Sequence, residues 1–125
     1  MNVELLEKVK QHIINEPQSF EMGNWCGSAC CIAGWTCVLA GATPHYRYPG
    51  DEESGDTGFV KYNGDVILAD QLATILLDIS RKQSAELFLA QLHEEDHKLI
   101  WSDNRQESVE AAVSLIDDFI KTYSV

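Results

Sequence analysis

The stretch from Ser28 to Ala40, SACCIAGWTCVLA, contains no charged residue and constrains the fold more than any other part of the chain. A helix that is apolar on every side is stable only when other elements cover it. Gly41 follows at the position where a left-handed residue often ends a helix. We therefore expect a buried central helix over about residues 28–40, with the other elements packed around it.

The remaining segments predict helices and one β-hairpin. Asn63-Gly64 lies between the apolar runs FVKY and DVIL, which indicates a tight hairpin near residues 59–68. The alternative is a continuous helix capped by Asp65, but we favour strand as far as Leu68. Helical spacing of apolar residues and capping patterns predict helices at 3–15, at about 70–78, after the Ser80/Gln83 capping box, and after Asp103 and Gln106. Residues 42–58 read as a long surface loop.

These elements predict a mainly α (α+β) fold, a compact bundle of about five helices with a small hairpin. The chain has 125 residues, of which 45% are hydrophobic and 23% charged. That length is close to the commonest size of one domain and is sufficient for a hydrophobic core. We therefore expect residues 1–125 to form a single globular domain.

The charge of the chain favours some kinds of binding partner and disfavours others. Twenty acidic and nine basic residues give a formal charge of −11, which opposes binding to nucleic acid or to an anionic membrane and favours a basic protein partner. The N-terminal sequence MNVELLEKVKQ lacks the pattern of a signal peptide. We expect a cytoplasmic protein whose four cysteines are free thiols.

The four cysteines lie within WCGSACCIAGWTC. Cys30, Cys31 and Cys37 fit the small, apolar faces of a buried helix, where a free cysteine behaves as a small hydrophobe. Cys26 falls near the expected helix start, where backbone N–H groups favour a thiolate. If the protein is a cysteine-dependent hydrolase or transferase, Cys26 is the candidate nucleophile.

Two enzyme families share parts of this cysteine stretch. CGSAC resembles the CGSC segment of papain-like proteases, with Ala29 as an additional residue. The run from Cys26 to Gly41-Ala42-Thr43-Pro44 resembles the cysteine-headed helix of the transglutaminase-like core. That second resemblance implies a histidine on a following strand, which FVKY and DVIL lack, so the candidate bases are His45, His93 and His97. The absence of a complete catalytic set favours a protein that is not an enzyme.

Metal-binding patterns are incomplete, and we expect neither a metal nor a cofactor. Cys26 and Cys30 have i, i+4 spacing, but the spacing of the cysteines is not that of a zinc finger. His93 to His97, HEEDH, matches the H-E-x-x-H pattern of zinc proteases. Acidic residues occupy its intervening positions, which favours a solvated helix end. These four residues are therefore only weak candidates for a zinc-binding protein.

The acidic residues form short patches, most clearly in the loop: Asp51, Glu52, Glu53 and Asp56. Such patches are typical of solvated surfaces, and they can also dock on a basic protein surface. We take the four loop residues as candidate partner-binding residues.

The cysteine stretch and a later segment, LLDISRKQSAELF, together resemble small bacterial and phage proteins to which no activity is assigned. Those proteins carry a cysteine-glycine, Ala-Gly-Trp helix and an L-L-x-x-S/T-x-x-Q-x-x-x-L-F segment. The resemblance implies a shared fold and no activity. The matching positions are Cys26, Gly27, Cys30, Ala33, Gly34, Trp35, Leu76, Leu77, Ser80, Gln83, Leu87 and Phe88. The function that the sequence favours is thus an acidic protein-interaction module.

Overall fold

The computed structural model describes residues 1–27 and 29–124 and is mainly helical with a small antiparallel sheet. Within these residues the α-helices are α1 Val3–Asn15, α2 Ile32–Leu39, α3 Asp51–Ser54, α4 Ala69–Leu77, α5 Arg81–Phe88, α6 Glu94–His97 and α7 Arg105–Tyr123. Two 3₁₀ turns lie at Pro17–Ser19 and Lys98–Trp101. The predicted helical fold class is confirmed.

The sheet is built on the hairpin that the Asn-Gly dipeptide predicts. Strands β2, Phe59–Tyr62, and β3, Asp65–Leu68, pair in antiparallel fashion and are joined at Asn63 and Gly64. Both turn residues have positive φ, 52° and 87°, as the favoured two-residue hairpin turn requires. The alternative of a continuous helix from Val66 is therefore wrong.

Residues 42–58, which the sequence presents as a loop, contain ordered elements. Strand β1, Thr43–Pro44, pairs with β2, so that Thr43 is opposite Lys61. The helical turn α3 follows between two glycines that both have positive φ. A strand of two residues and a helix of four are too short to produce a detectable periodicity in the sequence.

Helix α2 is central, because α1, α4, α5 and β1 all contact it. Ile32, Ala33 and Cys37 are completely buried, as the uncharged stretch predicts. However, the helix begins at Ile32 and not near residue 28. Ser28 itself lies outside the described residues.

The late start of α2 has a cause in tertiary hydrogen bonding. The N–H of Cys30 donates to the carbonyl of Ser19 over 3.0 Å, and the carbonyl of Cys30 accepts from the N–H of Glu21 over 3.1 Å. These bonds pair Cys30 with the chain around Phe20 in a β-bridge. The backbone groups of Cys30 are therefore engaged in that bridge, and the helix starts after Cys31.

The capping predictions have two outcomes. Ser80 and Gln83 form the complete capping box at the start of α5. At α7 the cap is Asn104, whose side chain accepts from the N–H of Glu107 over 3.1 Å, and not Asp103. Asparagine and aspartate are equally good N-caps, so the sequence does not decide between Asp103 and Asn104.

Helix α7 covers α1 and the Lys98–Trp101 turn with one apolar stripe. Its fully buried members include Leu115, Ile116 and Phe119. No helix among the described residues is both long and apolar enough to cross a membrane.

Candidate functional site

The first candidate site is the entry segment, which we define as residues 20–27 and 29–31, the irregular chain before α2. One side of it is held by the β-bridge between Phe20 and Cys30. On the other side, the N–H of Thr57 donates to the carbonyl of Cys26 over 2.9 Å. The N–H of Trp25 donates to Oδ1 of Asp56, also over 2.9 Å. Neighbours on two distant parts of the chain therefore fix the backbone on which Cys26 and Cys30 lie.

Two glycines allow this segment to pack closely. Gly27 has a φ of +140°, and a Cβ there would lie 2.2 Å from the carbonyl oxygen of Gly55. In α2, a Cβ on Gly34 would lie 1.7 Å from the carbonyl oxygen of Trp25. Both distances are far below any van der Waals contact, so a side chain at either position would displace the entry segment.

The sulfurs of Cys26 and Cys30 are 3.6 Å apart and share a hydrogen bond. Both side chains are buried, with exposed fractions of 0% and 1%. The hydrogen bond with Cys26 lowers the pKa of Cys30, burial opposes this change, and the backbone N–H of Gly27 lowers the pKa further. The pKa of Cys26 is raised, mainly by the hydrogen bond with Cys30 and then by burial. Cys30 is thus the sulfur of this pair that ionises more readily.

The other two cysteines have a different environment. Cys31 donates to the carbonyl of Trp25 over 3.7 Å, and Cys37 donates to the carbonyl of Ala69 over 3.2 Å. Burial raises the pKa of each thiol to about 12. Both are therefore protonated at neutral pH and pack as small apolar groups.

The location of Cys26 removes one reason for its selection as the nucleophile. The expected thiolate depends on a position at the start of a helix, but α2 begins at Ile32. Within the part of the chain that the structure describes, the hydrogen-bonding partner of the Cys26 sulfur is Cys30, and no histidine bonds to either sulfur.

The three candidate bases lie in unrelated settings. His45 is half-buried beside the sheet, where its backbone N–H donates to the carbonyl of Phe59 over 2.9 Å. His93 is exposed and has a φ of 49°. His97 is buried, and its Nε2 lies 2.9 Å from Oδ2 of Asp118. Their elements differ, and the structure shows no shared arrangement of the three around Cys26 among the described residues.

The H-E-x-x-H pattern of His93 and His97 does not form a pair of ligands on one helix. Helix α6 begins at Glu94, so His93 precedes it, and the two side chains differ in burial. Among residues 1–27 and 29–124 no group of three or more His, Cys, Asp and Glu side chains is arranged to hold a metal ion.

The acidic loop residues divide into two kinds. Asp56 holds the N–H of Trp25, and Oδ2 of Asp51 accepts from the N–H of Tyr48 over 3.0 Å. These two carboxylates therefore have structural roles. Glu52 and Glu53 are exposed on α3.

The second candidate site is the α1/α7 groove, a cleft of about 890 Å³ whose apolar surface is Ile14, Pro17, Val109 and Val113. Ile14 is 45% exposed although it is a large aliphatic residue. The charged residues lining this groove are Arg105, Glu110, Asp117 and Asp118. The groove therefore combines an apolar floor with a net negative lining.

Val109 and Val113 belong to the helically spaced apolar residues that predict a helix after Asp103 and Gln106, but this spacing does not predict the groove. The floor is formed only when α7 lies against the end of α1 and the Pro17–Ser19 turn. A weak signal was available in α7, where acidic residues alternate with the valines.

Searches among protein-family models, curated proteins and solved structures found no match to this chain.

Proposed function

We propose that the protein is an interaction module that binds a basic, amphipathic segment of a partner protein in the α1/α7 groove. The observation that carries this proposal is the combination of an apolar floor with a mainly acidic lining. Apolar contact supplies affinity, and complementary charge selects the partner and its orientation.

The apolar part of the groove is suited to one face of a short amphipathic helix. Val109 and Val113 are one turn apart on α7, and Ile14 presents an exposed side chain from α1. Exposed aliphatic surface of this kind, bordered by polar groups, is typical of protein-binding sites.

The charges around the groove favour a cationic partner. Glu110, Asp117 and Asp118 outnumber Arg105 in its lining. Lys10 pairs with Asp117 at 2.9 Å, but Glu7 also bonds to that ammonium group, at 3.0 Å, so the surroundings remain acidic. The charge of −11 on the whole chain adds long-range attraction, to which the exposed Glu52 and Glu53 contribute.

A synthetic peptide tests the proposal directly. The probe is a helical peptide of leucine and lysine with one apolar face, compared with a peptide in which glutamate replaces every lysine. We expect the lysine peptide to bind, with an affinity that falls as salt rises, and the glutamate peptide to bind at least about tenfold more weakly. Isothermal titration calorimetry measures both affinities.

Matched variants locate the binding surface. Val113→Lys places a cation on the groove floor, and we expect at least about a tenfold loss of affinity for the lysine peptide. Ile75→Lys is the control, because Ile75 is 67% exposed on α4, outside this groove. Equal affinity of both variants, or equal binding of the two peptides, would contradict the proposal.

A further inference from the structure

We propose that Cys26 and Cys30 form a reversible redox site, in which a hydroperoxide oxidises Cys30 and Cys26 then closes a disulfide with it. The inference is independent of the α1/α7 groove. It rests on the 3.6 Å separation of the Cys26 and Cys30 sulfurs. The backbones of these two residues are held by different neighbours.

The two sulfurs lie within a small movement of disulfide bonding distance. An S–S bond is about 2.05 Å long, so the sulfurs need to approach by about 1.5 Å. Rotation of the two side chains about their Cα–Cβ bonds supplies movement of this size, since the thiols are joined to single, rotatable bonds. The site is thus arranged for pairing, whereas Cys31 and Cys37 each bond to a carbonyl oxygen.

The two sulfurs have distinct roles. Cys30 ionises more readily, because the hydrogen bond with Cys26 and the backbone N–H of Gly27 stabilise its thiolate and lower its pKa. The thiolate is the form of cysteine that attacks an oxidant. Cys26 retains its proton until Cys30 has been oxidised, because its pKa is raised.

The reaction balances with one hydroperoxide. The Cys30 thiolate attacks the terminal peroxide oxygen, the O–O bond breaks, and the departing oxygen takes up a proton, which leaves a sulfenic acid on Cys30. The Cys26 sulfur then attacks the Cys30 sulfur, the S–O bond breaks, and the oxygen leaves as water with the Cys26 proton. With hydrogen peroxide, two thiols and one peroxide give one disulfide and two molecules of water.

The chain around residues 46–57 packs against the backbone beside the two cysteines. Thr57 bonds to the Cys26 carbonyl, and the hydroxyl of Tyr46 and the carbonyl of Gly55 lie against Gly27. Because both sulfurs are buried, the oxidant reaches them only when the packing around them opens locally. Hydrogen peroxide is small enough to use such openings. Larger oxidants, such as a disulfide reagent, are expected to react with the pair more slowly.

The first experiment uses the unmodified chain. The reduced protein is treated with hydrogen peroxide, the remaining thiols are blocked with N-ethylmaleimide, and the mass is measured before and after dithiothreitol. We expect a monomer that has lost two hydrogen atoms, retains two thiols and returns to four on reduction. Trypsin leaves all four cysteines in the peptide Gln11–Arg47, so fragment ions identify the pairing.

A link between Cys26 and Cys30 supports the proposal. A link between any other pair, or four thiols that persist in the folded chain while the guanidinium-denatured chain is oxidised, would overturn it. The double variant Cys31→Ala/Cys37→Ala is the matched control, and it should form the same disulfide.

Single variants test the order of the two steps. In Cys26→Ala the sulfenic acid on Cys30 has no resolving thiol, and we expect dimedone to trap it. In Cys30→Ala the hydrogen bond between the two thiols is lost, but burial still raises the pKa of Cys26, and we expect its dimedone labelling to be slower than that of Cys30 in Cys26→Ala. Faster labelling of Cys26 would overturn the assigned order, and circular dichroism of both variants checks that each is folded.

Discussion

The entry segment and helix α7 both pack against the core, but different interactions hold them in place. In α7 the hydrogen bonds run within one regular helix of 19 residues, and its apolar stripe packs on α1. In the entry segment the bonds of Trp25, Cys26 and Cys30 go to Asp56, Thr57 and Ser19.

This difference determines which backbone conformations each region can adopt. A helix that satisfies its own backbone groups places its side chains at a fixed spacing of about 3.6 residues per turn. A segment held by distant neighbours can adopt positive φ at Gly27 and bring two sulfurs four residues apart to within 3.6 Å of each other.

The largest expected effect comes from Gly34→Ala. Helix propensity alone predicts that this change stabilises α2 by about 1 kcal/mol. The new Cβ would lie 1.7 Å from the Trp25 carbonyl oxygen, so we expect a loss of more than about 4 kcal/mol in the free energy of unfolding. Urea denaturation followed by circular dichroism measures it.

Gly23→Ala is the matched control within the entry segment. Its nearest neighbour is the flexible end of the Glu21 side chain at 3.6 Å, and we expect a change within about 0.5 kcal/mol. A Gly34→Ala protein of unchanged stability would show that the entry segment can shift to make room for the new Cβ.

The second effect is a fall in the free energy of unfolding at high pH. Burial raises the pKa of Cys31 from 9.0 to about 12, so unfolding releases a proton above pH 9. The stabilisation is complete below pH 9 and is lost as the pH rises towards 12, at up to about 1.4 kcal/mol per pH unit. Urea denaturation at several pH values should give a shallower slope for Cys31→Ala, and an unchanged slope would contradict the burial of this thiol.

The third effect tests the bond between the entry segment and the 42–58 region. Asp56→Ala removes the acceptor of the Trp25 N–H, and we expect a loss of about 2 kcal/mol, as for other hydrogen bonds to a charged group. Glu53→Ala, on the exposed face of α3, is the control and should change stability by less than about 0.5 kcal/mol. Similar losses from both variants would mean that the carboxylate does not hold the segment.

The smallest effect concerns the start of α7. Asn104→Ala removes the side chain that accepts from the Glu107 N–H, and we expect a loss of about 1 kcal/mol. Asp103→Ala should be nearly neutral, because Asp103 precedes the cap. Thermal denaturation compares the two, and the opposite ranking would show that the helix starts one residue earlier.

The longer helices and the hairpin were predictable because their signals are local. The periodicity of α1, the capping box at Ser80 and the Asn63-Gly64 turn each depend on residues within a few positions of one another. The start of α2 was placed about four residues too early, because small apolar residues are equally compatible with a helix and with a buried irregular segment.

The candidate sites were predictable only in part. The sequence drew attention to Cys26, but the relation between Cys26 and Cys30 depends on bonds to Ser19 and Thr57 that no spacing rule reveals. Similarly, the spacing of Val109 and Val113 predicts an apolar face on a helix. The groove beside them exists only because α1 ends near Pro17.

The amino-acid sequence by itself determined the helical class, the central apolar helix, the hairpin and the acidic character of the surface, because composition and short-range periodicity specify these properties. The tertiary structure decided where α2 begins, which sulfurs meet and where an apolar floor stays open. These features depend on contacts between segments far apart in the chain, such as that between Trp25 and Asp56, which only the folded protein brings together.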